Sequence, residues 1–253
     1  MRHLMMIVGS VFIFSVLFGG VVQAQRVVNV GGYEFPPYVE DTKPVSGLTL
    51  DLLAALNAFQ TDYTFQFVLT SSKRRYLDFE SGRFDMLMFE SLAWGWQDKA
   101  VEATRVFLHD GEVYLTKADG RKNQAYFDDF AGKSVIGYLG YHYGFANFNA
   151  DQKILQDRYN TTVTTSHAGN IRMVLAGLTD IAVITKSYLQ KYLLEYPAAE
   201  KQLLISEKLD QAYNHTILVR QNIRPSAADL NILLDKMEAA GLLQQLWEKY
   251  GIQ

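Results

Sequence analysis

Glu90, Trp94, Trp96 and Gln97 fall close together in the stretch ESLAWGWQDKA, followed at once by Asp98 and Lys99. Two indoles beside a carboxylate suit recognition of a small molecule. The rings can stack on a flat group or a cation, and Glu90 can meet a positive charge. The competing use is structural: indoles packed in a core, with Glu90 on a solvated turn or ion-paired with Arg74 or Lys99. No Ser-His-Asp arrangement, phosphate-binding glycine loop or metal-spaced cluster stands out, so binding is expected rather than catalysis, with no cofactor and no metal.

The chain has 253 residues, a formal charge of −3, 49% hydrophobic residues and no cysteine. That charge gives no reason to expect nucleic-acid binding. Without cysteine there is no disulfide, thiolate metal site or lipidated N-terminal cysteine, so the core must hold the fold by itself. Residues 1–24 carry Arg2 and His3, then an apolar run, then Val22-Gln23-Ala24. This is the pattern of a signal peptide cleaved after Ala24, which implies a periplasmic protein. A retained anchor is the other reading, because the run is long enough to cross a bilayer.

Elements that would position the site follow in alternation. Strand patterns at 26–32, 64–69 and 84–89 are separated by helical patterns at 49–59 and from Ser72, read as a cap, to Glu80. The alternation restarts after about residue 121, with strands at 134–140, 161–165 and 180–185 and helices after Ser166 and over 186–196. The segment 111–120 leads from the first unit into the second, and 215–220 is a further strand. Ser226 and Asp229 form a capping pair for a helix to Ala240. The fold class is α/β. Either all strands share one sheet, or two lobes are crossed twice by the chain. Lobes over 25–118 with 213–253, and over 119–212, would face one another across a cleft that closes by hinging.

Four stretches resemble the family 3 extracellular solute-binding proteins, the polar-amino-acid receptors of ABC importers. They are VVNVGGYEFPPYVE, VSGLTLDLLAAL, LDFESGRFDMLM and ILLDKMEAAGLLQQLWEKYGI, in the family's order and spacing. The resemblance implies a two-lobed venus-flytrap fold of the type II periplasmic binding proteins and capture of a small solute by a monomer. Its partners would be importer membrane subunits, or a receptor on which a sensing protein docks. The same scaffold also hosts a periplasmic dehydratase; in that reading Glu90 or His142 would be the acid or base.

Carried over by position, the family's ligand-gripping threonine and arginine become Trp94 and Gln97, and its ammonium-binding aspartate becomes Thr185. A glutamine lacks the charged fork of a guanidinium, so an ordinary α-amino-acid head group is not expected. Tyr38 matches an aromatic that covers the ligand. Arg74 lies where some branches place a pocket-facing arginine, and Lys99 or Arg105 are other substitutes. Tyr141 and His142 fall in the second lobe's ligand loop. The expected ligand is a small solute with a flat or cationic part.

Overall fold

The computed structural model describes residues 25–252, so the expected signal segment lies outside the described residues. Among them, no helix is long and apolar enough to cross a membrane.

Among the described residues there are nine strands and eight α-helices, largely in alternation. The first half contains β1 (Arg26–Gly32), α1 (Leu48–Phe59), β2 (Tyr63–Leu69), α2 (Arg75–Glu80), β3 (Met86–Glu90) and β4 (Val101–Ala103). β5 (Leu108–Lys117) leads into β6 (Val135–Tyr138), α3 (Gln152–Tyr159), β7 (Thr161–Thr164), α4 (His167–Leu175), β8 (Ile181–Thr185), α5 (Lys186–Glu195) and α6 (Pro197–Glu200). The long β9 (Leu203–Arg220) returns, and α7 (Ala227–Ala239) and α8 (Leu242–Lys249) finish the chain.

Local chemistry explains most boundaries. Leu48, Leu52 and Leu56 recur every four residues and bury one face of α1. α4 begins where the Ser166 Oγ accepts a hydrogen bond from the Gly169 amide, and α7 where Ser226 and Asp229 cap each other reciprocally. α2 departs from expectation. Ser72 does not cap it; Ser71 accepts from the Arg74 amide, and the helix starts only at Arg75.

The strands lie on one unbroken hydrogen-bonded path, β2-β1-β3-β9-β5-β8-β6-β7, with β4 also on β9. It has two parts. β1 pairs in parallel with β2 and β3, and the C-terminal end of β9 runs antiparallel to β3 and β4. In the second set β6 pairs in parallel with β7 and β8, and β5 runs antiparallel to β8 and to the rest of β9. One strand and one sheet path thus serve both sets, through β5 and β9. Register shifts in that ribbon, between Glu112 and Val113 and again before Leu115, twist it where the sets meet.

β8 shows how deeply the second sheet is covered. All five of its residues are buried, with Ile181 and Val183 packing into one cluster and Ala182 and Ile184 into another. Burial on both faces is what a largely parallel arrangement demands.

Candidate functional site

The loop after β1, the start of α2, the turn after β3, the loop after β6 and the middle of β9 converge on one narrow pocket of ≈ 10 Å³. Its rings come from Tyr33, Phe35, Trp94, Tyr141 and Tyr213, and its polar groups from Arg75, His142 and Gln211. Both strand sets contribute.

Arg75 is the central charge. Its Nε lies 3.2 Å from Glu90 Oε1, and each side chain is 1% exposed. Its Cζ stands 4.6 Å from the Tyr33 ring centroid and 4.4 Å from that of Tyr76. An Nη1–H donates to the Ser72 carbonyl. The Glu90 Oε2 accepts from the Trp96 indole at 3.0 Å. Burial raises the Glu90 carboxyl above its ordinary range, against the pull of Arg75, Tyr33 and Trp96. Phe89 turns the chain into this arrangement with φ 58, and its carbonyl lies 3.0 Å from His215 Nδ1. A buried aromatic residue in the left-handed region carries backbone strain, and it falls at the register break of β3.

His142 answers Arg75 from the second set. Its Nδ1 is 2.7 Å from the Phe148 carbonyl, which requires the proton on Nδ1 and leaves Nε2 as an acceptor. Nε2 then faces Arg75 Nη2 at 3.4 Å and the Tyr76 hydroxyl at 3.3 Å. Burial, and then the Arg75 charge, lower its pKa to about 4, so the ring is neutral at neutral pH.

A second relay runs along the ribbon. The Trp94 indole donates to Gln211 Oε1 at 3.1 Å, and Gln211 Nε2 donates to Glu112 Oε2 at 2.8 Å. Trp94 also packs edge-on to Tyr213 at 5.0 Å and to Phe35 at 5.9 Å. Nearby, Asp110 Oδ2 accepts from the Tyr38 and Ser187 hydroxyls, each at 2.6 Å, tying the loop after β1 to β5 and α5.

Of the residues singled out by sequence, Trp94, Tyr141 and His142 line the pocket. Glu90 stands behind it, paired to Arg75 rather than to Arg74 or Lys99. Trp96 is core, packed on Tyr76 and Phe79 at 4.9 and 5.4 Å. Gln97 is exposed, because its turn aims the two indoles inward and the residue between and after them outward. Tyr38 is buried as a tie to Asp110, not as a pocket wall. Thr185 ends the doubly covered β8, with its hydroxyl 3.4 Å from His167 Nε2.

Arg74 is a correction. Its side chain is 69% exposed and pairs with Asp78. Lys99 is held by Glu80 and Arg105 by Asp235 and Glu238, all outside the pocket. The buried arginine is the next residue, Arg75, which sequence reasoning missed together with Tyr33, Phe35, Gln211 and Tyr213. The run Lys73-Arg74-Arg75 signalled a basic group but not which member turns inward.

The fold is the two-lobed type II fold of periplasmic binding proteins. An ancestral arginine-binding protein bound to arginine matches it with 19% identity, over 89% of this chain and 98% of that one, at a TM-score of 0.66. The substrate binding protein of an amino acid ABC transporter matches with 16% identity over 88% and 98%, at 0.63. A histidine kinase sensor domain with similarity to periplasmic binding proteins matches with 18% identity over 89% and 96%, at 0.66. No protein-family model matches the chain, and no curated protein sequence does.

Proposed function

We propose that the protein is a periplasmic receptor that captures a small solute between two lobes and presents it to an ABC importer. The observation that carries this reading is the pocket itself: five rings from both strand sets around one arginine whose charge Glu90 already balances. Such a pocket favours a flat, polar solute over the charged head group of an α-amino acid, since a free carboxylate needs donors that replace its water. The lobes would be 25–118 with 213–253, and 119–212, hinged on β5 and β9. A cleaved leader over 1–24 and a monomeric chain fit that role. The ligand contacts would be made by Arg75, Trp94, Tyr141 and His142, and the protein would bind without catalysis.

A second reading has the same cleft sense its ligand and dock on a receptor. The similarity to a kinase sensor domain supports it. A thermal-shift screen of several hundred metabolites, followed by calorimetry, tests the binding reading, because a ligand that prefers the folded state raises its apparent stability. Flat solutes are expected among the hits. Tight binding of arginine, lysine or glutamine would overturn the exclusion of amino-acid head groups.

A further inference from the structure

A second pocket opens between the loop after β1 and helix α5. Its rim carries Glu34, Glu40, Asp41 and Glu195 against one cation, Lys191, which Glu40 already holds at 2.6 Å. Among the described residues, Glu34, Asp41 and Glu195 have no ion-pair partner.

The wall is aromatic. His167 lies between Tyr138, at 4.6 Å between ring centroids, and Tyr188, at 4.9 Å. Tyr138 is 3% exposed and His167 2%; the Tyr138 hydroxyl lies against the Glu34 carboxylate, and His167 Nδ1 has no hydrogen-bond partner. An unpartnered buried polar atom is costly, and this one belongs to a residue that lines the pocket. Burial lowers the His167 pKa to about 3, so this ring adds no positive charge.

We propose that this pocket binds a linear organic polycation, a diamine or polyamine, lying along the Tyr138–His167–Tyr188 wall with its ammonium ends at Glu34 and Asp41 on one side and Glu195 on the other. Ring faces attract ammonium groups, and Tyr138 Oη can accept from one. The carboxylates are too dispersed for a metal ion: among the described residues no group of three His, Asp or Glu side chains could hold one. An amino acid fits poorly, because Lys191 is occupied and the rim offers its carboxylate no other cation. The ligand would bridge the loop and α5, reinforcing the tie that Lys191 makes to Glu40. This inference concerns a site separate from the central pocket and stands or falls apart from it.

Calorimetry with spermidine, putrescine, lysine and magnesium chloride on the chain from Gln25 tests it. Saturable binding of one spermidine is expected, tighter than putrescine and at least about tenfold tighter than lysine, a tenfold step being about 1.4 kcal/mol. Glu34→Gln with Asp41→Asn, both at the rim, should weaken spermidine at least about tenfold, and Glu195→Gln and Tyr138→Phe severalfold. Absence of saturable binding at millimolar spermidine overturns the proposal. So does binding unchanged in the rim variants, or binding that magnesium displaces at equal charge, which would mark diffuse counterion attraction.

Discussion

Nε of Arg75 lies 3.2 Å from Oε1 of Glu90, and both side chains are sealed from solvent. Neither of these two atoms has an aligned hydrogen bond, so the pair is held mainly by charge and by the Tyr33 and Tyr76 rings. Isolated buried charges are far more costly than matched ones. Arg75→Met should therefore cost about 3–5 kcal/mol by leaving Glu90 unmatched, whereas Arg75→Met with Glu90→Leu should recover much of that loss. Urea unfolding of the three proteins checks it; equal losses in the single and double variants would mean the ring contacts, not the charge, dominate.

Glu112 gives a pH dependence. It is fully buried, and burial, then the neighbouring Asp210 charge, raise its carboxyl well above the ordinary value of 4.5. The folded state then holds a proton that the unfolded state releases above pH 4.5. That contribution is complete below the unfolded value and is lost as pH rises toward the folded value. Glu112→Gln mimics the protonated form, so its stability relative to the parent should grow from pH 4.5 upward. Thermal melts at a series of pH values measure this; parallel curves would mean that Glu112 is ionised in the fold.

Gly140, in the loop after β6, packs directly against Ser72, which precedes α2. It has φ +82, and a Cβ there would stand 2.2 Å from Ser72 Oγ and 2.5 Å from Ser72 Cβ. Gly140→Ala should cost about 1–3 kcal/mol of closure through backbone strain alone, with the contact to Ser72 added. Small-angle scattering should show a larger radius of gyration and calorimetry a weaker ligand. Ser72→Gly should restore part of the loss in the Gly140→Ala protein, since the two side chains collide directly.

Tyr38 and Ser187 share Asp110 at 2.6 Å each. Tyr38→Phe removes one donor from a carboxylate that burial already penalises. A loss of about 1–3 kcal/mol is expected, which lowers the melting temperature by about 2–4 °C per kcal/mol for a chain of this size. A melting temperature equal to the parent's would show that Ser187 alone satisfies Asp110.

The sequence by itself determined the alternation of strands and helices, because the 3.6-residue and alternate-residue apolar patterns are local. It located the caps at Ser166 and Ser226, where a short side chain meets its own backbone three residues on. It also located Trp94, Tyr141 and His142 at the pocket. It did not reveal the N-terminal half of β9, since the inward positions there include Gln211, and His215 follows further along, polar residues that break the expected apolar rhythm. Nor did it decide between Arg74 and Arg75. Successive residues entering a helix point in directions about 100° apart, so the two arginines meet different surroundings. Which one turns inward was decided by Glu90, brought to α2 from the end of β3 by the parallel pairing of β1 with β3. The same holds for the acidic rim: Glu34 and Glu195 become neighbours of one pocket only when the loop after β1 meets α5. No local pattern carries such a meeting, because it depends on the packing of segments far apart in the chain.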